Sequence, residues 1–219
     1  MQSGTSHRNV QKKHYKQKVS EIRKWLEVTY PVIEKEAIAE NAEIWWIDET
    51  GVQNTSNYVK GYAPKGKTPT VPVETKHIRV NMIAAITNCG KLRFHFYKGK
   101  MNQFLFKAFL KKLVKSTDKK VYVISDNLSA HHGLLLREWA DNNAEKIKLH
   151  YLPSYAPELN PVEYLNNNLK YETARKGFSK SKNEIQKKAQ SVMRSLKSTK
   201  NRIVSFFENE YVKYAKKRE

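Results

Sequence analysis

Apolar residues along the chain keep two rhythms, and the alternation between them predicts the order of elements. Residues 1–43 read as a basic lead followed by a helix. Ile22, Trp25, Leu26, Ile33 and Ile38 recur at loose helical intervals, and Pro31 is expected to break the run in two. Ile44-Trp45-Trp46-Ile47 is a short run of the fully buried strand type, expected to end in a turn at Asp48-Glu49-Thr50-Gly51. Residues 52–76 are mostly polar and hold Pro64, Pro69 and Pro72, which predicts an extended loop or ribbon. Strands follow at His77–Thr87 and Lys91–Tyr97 around an Asn88-Cys89-Gly90 turn. Asn102–Lys115 then has helical spacing in Leu105, Phe109 and Leu113.

Val121–Ser125 is another buried strand, closed by Asp126-Asn127. A helix over 133–143 leads to a strand at Ile147–Leu152, and a loop rich in Pro, Ser and Tyr runs to Asn160. The remainder, 161–218, reads as helical with a break near Gly177. Such an order predicts an α/β chain, one mixed central sheet flanked by helices. We divide it into a basic helical segment (1–43), a core (44–175) and C-terminal basic helices packing on that core (176–219). Neither an internal repeat nor a low-complexity tract is present.

Charge narrows the partners. The 219 residues carry 41 Lys+Arg against 21 Asp+Glu, a formal net charge of +20. Such an excess on one domain repels itself and attracts polyanions, so nucleic acid leads the partner classes. A membrane is not expected, because no amphipathic anchor stands out and apolar runs such as Met82–Ile86 are far too short to span one. The polar start, Met1–His7, offers no signal peptide. A single cysteine, Cys89, excludes an intramolecular disulfide or a cysteine zinc cluster and suits a reducing cytoplasm.

One motif is rejected on mechanism. Gly61-Tyr62-Ala63-Pro64-Lys65-Gly66-Lys67-Thr68 matches the phosphate-loop pattern letter for letter. That loop needs a buried strand before it and a helix opening at the lysine. Here polar residues precede it, and Pro69 drives Thr68 out of helical space. A proline-stiffened basic projection is expected, contacting DNA or a second protomer through Lys65 and Lys67.

Three acids carry the candidate chemistry. Asp48 and Asp126 each follow a buried strand, and Asn160-Pro161-Val162-Glu163 looks like a helix start. Each has a plain structural explanation: a type I turn from Asp48 to Gly51, a turn cap at Asp126, a capping box with Glu163 at its third position. Together they fit another purpose. Phosphoryl transfer on DNA needs about two divalent ions ~4 Å apart, held by carboxylates on rigid elements. Magnesium prefers a few carboxylates and keeps waters and phosphate oxygens as its other ligands.

At these residues the chain resembles a known family. "WWIDETG" (45–51), "VISDNLSAHH" (123–132) and "YLPSYAPELNPVEYLNNNLK" (151–170) are similar to the three catalytic blocks of the mariner superfamily of transposases, in its bacterial insertion-sequence branch. "GYAPKGKTP" (61–69) resembles the loop after the first block. The likeness covers roughly residues 44–170 in the same order. It implies a ribonuclease-H-like fold and a DDE triad of Asp48, Asp126 and Glu163 binding two Mg2+ or Mn2+ ions, with Asn127 and His131 supporting them by hydrogen bonds. It also implies cleavage at element ends and joining of the freed 3′-hydroxyl to target DNA, commonly at TA, by a homodimer in the bacterial cytoplasm, on the nucleoid.

There are two departures. Asn166, in the run Asn166-Asn167-Asn168, stands where the family carries a tryptophan, which is expected to disturb helix packing. And residues 1–43 hold no convincing recognition helix, so three readings stay open: the second half of a split frame with the helix-turn-helix protein encoded separately, a truncated copy, or a decayed one.

Basic residues supply the remaining candidates. Lys107, Lys111 and Lys115 share a helix face by their spacing of four, and with Lys170 they are candidates for DNA contact. Two other readings stay open: a structure-selective nuclease on the same scaffold, and a catalytically silent DNA-binding or dimer-forming remnant.

Overall fold

In the computed structural model, which describes residues 16–54, 64–67, 78–127 and 133–217, five strands build one sheet. They are β1 (Glu43–Gln53), β2 (Arg79–Ile86), β3 (Leu92–Tyr97), β4 (Val121–Ser125) and β5 (Ile147–Tyr151). Their spatial order is β3-β2-β1-β4-β5. The first three form an antiparallel meander, while β4 and β5 run parallel to β1, so the sheet is mixed and β1 lies at its centre. Among the described residues seven α-helices flank it: α1 (Val19–Lys24), α2 (Tyr30–Ala39), α3 (Gln103–Val114), α4 (Leu134–Asp141), α5 (Val162–Arg175), α6 (Lys182–Ser198) and α7 (Lys200–Ser205).

Strand parity sorts the core into two layers, because successive side chains of a strand point to opposite faces. On one face Trp45, Ile47, Ile83, Val121 and Val123 meet Phe106, Phe109, Leu110 and Leu113 of α3 and Leu136 of α4. On the other, Trp46, Met82, Ala84, Tyr122 and Ile124 meet Leu165 and Leu169 of α5 and Ile185, Ala189 and Met193 of α6. That second face is also sealed by both extremities of the described chain. Tyr30 of α2 lies 6.1 Å from Trp46 between ring centroids, Phe207 lies 5.1 Å from Trp46 edge-on, and Tyr214 lies 4.7 Å from Tyr30. Every described helix is too short or too polar to cross a membrane.

Several sequence readings need correction. β1 does not stop at Ile47: it runs on through Asp48, Glu49, Thr50 and Gly51, because β2 offers it a partner at every residue from Trp46↔Ile86 to Gln53↔Arg79. The turn expected at Asp48–Gly51 is therefore absent, and Gly51 has a different use. A Cβ there would fall 2.1 Å from Arg79 Nε, so only glycine lets that guanidinium lie across the strand. Pro31 does not break its helix either. Trp25–Thr29 forms a π-helical turn in which the Tyr30 N–H donates to the Trp25 carbonyl, and α2 starts with the proline in its first turn, where a missing N–H costs little. The break at Gly177 is observed, with φ at +84°.

Candidate active site

Register places the first two acids. The last aligned pair between β1 and β4 is Trp46 with Ile124, and Asp48 and Asp126 each lie two residues beyond it. A step of two keeps the face, so Asp48 extends the Trp46 side of the sheet and Asp126 the Tyr122–Ile124 side, both toward α5. Pairing between β1 and β4 has ended there, which leaves room at the sheet's edge. Ligand oxygens of Asp48, Glu49 and Asp126 lie within 4.8 Å of one another. Glu49, which sequence reasoning had not selected, has the opposite parity and is half-buried.

The third acid arrives on α5. Asn160 anchors that helix twice: its Nδ2 donates to the Ile47 carbonyl at 3.0 Å, and its Oδ1 accepts from the Val162 N–H at 3.1 Å. The expected capping box does not form. The Asn160 N–H is already given to the Pro157 carbonyl at 2.9 Å, so Glu163 is not needed there. Instead Glu163 lines a cleft of about 380 Å3 with Glu49, Thr50, Gly51, Gln53, Arg79 and Lys170. Asn127 Nδ2 donates to Ser154 Oγ at 3.0 Å and so ties the exit of β4 to the loop that leads into α5.

The charges of these carboxyls act on Asp48 and Glu163. Burial, then the charges of Glu163, Glu49 and Asp126, hold the Asp48 carboxyl well above the usual carboxylate range. Glu163 is also raised, first by burial and further by Asp126, while Lys170 opposes the rise. Acids that repel one another in a partly desolvated cleft take up either protons or a cation. Hard carboxylate oxygens at this spacing suit a divalent ion of the magnesium type.

The expected packing fault at Asn166 is not found. The residue is buried, with 1% of its surface exposed, and its Nδ2 donates to Asp48 Oδ2 at 2.7 Å. The signal was present in spacing, since Glu163, Asn166 and Lys170 recur at i, i+3 and i+7 on one face of α5.

Other candidates lie apart. Lys107 and Lys111 sit on α3 and Lys115 caps its end, on the far side of the sheet, and Lys107 Nζ reaches the Leu135 carbonyl at 3.4 Å. Pro64–Lys67 forms an exposed turn closed by the Lys67 N–H on the Pro64 carbonyl, not a helix start. His131, His132 and the rest of the phosphate-loop-like motif lie outside the described residues.

Comparison with known proteins agrees with this geometry. The family model described as DDE superfamily endonuclease matches residues 43–186. No curated protein sequence matches the chain. Among solved structures, the Mos1 transposase paired-end complex with left transposon end aligns over 99% of this chain and 68% of that one, at 13% identity and TM-score 0.62. The Mos1 mariner paired end complex with Mn aligns over 99% and 69%, at 12% identity and TM-score 0.64. The catalytic domain of Mos1 mariner transposase aligns over 95% and 100%, at 13% identity and TM-score 0.58. Identity this low speaks for fold alone, and that fold is ribonuclease-H-like, as the family resemblance implies.

Proposed function

The chain belongs to the DDE superfamily endonucleases, and from that premise we propose that it is the catalytic domain of a transposase of the insertion-sequence type, cutting DNA at element ends and joining the freed 3′-hydroxyl to a target. The observation that carries the reading is the cluster of Asp48, Glu49 and Asp126, whose oxygens lie within 4.8 Å of one another, with Glu163 on the facing helix near enough for its charge to act on Asp48.

Asp48, Asp126 and Glu163 would hold the divalent ions, with Glu49 near enough to Asp48 and Asp126 to contribute. Bound Mg2+ or Mn2+ would supply Lewis acidity and lower the pKa of an attacking water or hydroxyl. The protein's own contribution is placement. β1 and β4 fix two acids through their register, and Asn160 locks the start of α5 to β1 beside Asp48. Lys170 and Arg79 line the same cleft and offer positive charge to a phosphodiester that would otherwise be repelled by the acids. The net charge of +20 holds DNA nonspecifically. Recognition of an element's ends, a homodimer and a separately encoded helix-turn-helix protein are parts of the same proposal.

Cleavage of supercoiled plasmid and joining of a pre-cut end, both with Mn2+, test it. Wild type should perform both, while Asp126→Asn and Glu163→Gln should perform neither. Glu158→Gln and Glu172→Gln should stay active, because Glu158 accepts from Gln17 and Glu172 pairs with Arg175. Cleavage without joining would make the chain a nuclease. Loss with Glu158→Gln but not with Glu163→Gln would overturn the triad.

A further inference from the structure

Asn166 is an expensive residue in its position. It sits in the apolar stripe of α5, between Leu165 and Leu169, and is as buried as they are. A buried amide has two ends to satisfy, and leaving either unmade is costly. Its Nδ2 is used on Asp48 Oδ2 at 2.7 Å, but its Oδ1 is buried and finds no protein partner among the described residues. A leucine would fill the stripe without that cost. Departures from local economy of this sort concentrate at functional sites.

What the amide achieves is visible in the pair. Asp48 is the most central of the acids, on the middle strand and faced by Glu49, Asp126 and Glu163. Its carboxylate could turn about its last torsion to any of several orientations. The Asn166 N–H takes Oδ2, and the Glu49 backbone N–H also donates to the group, so the carboxylate is restrained from the helix as well as from its own strand. The bond crosses from helix to strand, so it also fixes the distance between the element that carries Glu163 and the one that carries Asp48.

We propose that Asn166 is a positioning residue: it holds Asp48 in the orientation that binds a divalent cation and sets the spacing between α5 and β1. The inference rests on the metal-binding reading above. Partners of this kind, behind the ligands, are worth about 10- to 100-fold in metal affinity.

Mn2+ alone is the probe, titrated calorimetrically into the full chain, with the Mn2+-induced rise in Tm as a second readout. Asn166→Leu should bind Mn2+ about 10- to 100-fold more weakly than wild type, while its metal-free Tm holds or rises. A role in packing alone would lower the metal-free Tm and leave Mn2+ affinity alone. Asn168→Leu, two residues along the same helix, should bind as wild type does, and Asp48→Asn gives the value for a lost ligand. Should Asn166→Leu not fold, Asn166→Ser, whose hydroxyl is too short to reach across, is read in its place. Wild-type Mn2+ affinity in the Asn166 variant, with affinity lost in Asp48→Asn, overturns this inference and spares the metal site. An absence of Mn2+ binding in wild type overturns both.

Discussion

Asp48→Asn should make the metal-free protein more stable. The substitution keeps the volume of the side chain, and an amide oxygen in place of Oδ2 still accepts from Asn166. It removes a charge from a group whose oxygens lie within 4.8 Å of those of Glu49 and Asp126. At an effective dielectric of about 20, two unit charges at that distance repel by roughly 3.5 kcal/mol. The cluster escapes part of this by keeping a proton, as the raised Asp48 carboxyl indicates. The gain realised at neutral pH is therefore smaller, about 1–3 kcal/mol, or roughly 3–9 °C in Tm for a chain of this size.

The pH dependence is specific. An acid whose folded pKa is raised adds no penalty below its unfolded value, near 4. It withdraws stability as pH climbs from there through the folded value. Thermal melts in EDTA from pH 4 to pH 9 should show wild type and Asp48→Asn coinciding at the acid end and diverging as pH rises. Saturating Mn2+ should reverse the order, lifting wild type and leaving the variant. A variant less stable than wild type at pH 8 without metal would show that the acids do not repel one another as described.

Other expectations follow from the same structure. The chain should bind DNA with little sequence preference and a steep salt dependence, each phosphate contact adding about −0.9 to the slope of log K against log salt; tight, salt-insensitive binding to one sequence would contradict this. Trp46→Ala, removing a fully buried ring packed on Tyr30 and Phe207, should cost about 3–5 kcal/mol in urea melts; a loss below about 1 kcal/mol would show the core to be misassigned. His150 is held down to about 4 by burial and then by Lys148, so the folded state stays neutral while the unfolded chain takes up a proton below about 6.5, and stability falls as pH drops between those values. His150→Phe should flatten that acid limb, and an unchanged limb would count against it.

The two central strands were legible as continuous apolar runs, Ile44–Ile47 and Val121–Ser125, whose alternate residues turn to opposite layers of helices. The extension of β1 past Ile47 was not. Asp-Glu-Thr-Gly is a good turn by local chemistry, and only the eight consecutive partners on β2, some thirty residues away, override it. The three acids were reached through a motif, yet strand parity alone already puts Asp48 and Asp126 on one face. Glu49 escaped because parity assigns it to the other face, and nothing local tells that pairing with β4 stops at Trp46. Asn166 was misread as a fault in packing. A sequence shows which residue is polar in an apolar stripe, but its partner was 118 positions away.

The aromatic seal over Trp46 separates two kinds of boundary. What is recognisable by descent spans residues 43–186, but Trp25, Tyr30, Phe206, Phe207 and Ala215 stand outside that span and fill the same core as Trp46. A fragment trimmed to the recognisable part would bare that tryptophan, two positions from Asp48 on the same face of the strand. The matched span is thus smaller than the core that the described residues build. Residues on either side of that span share one duty, covering from behind the strand that carries Asp48.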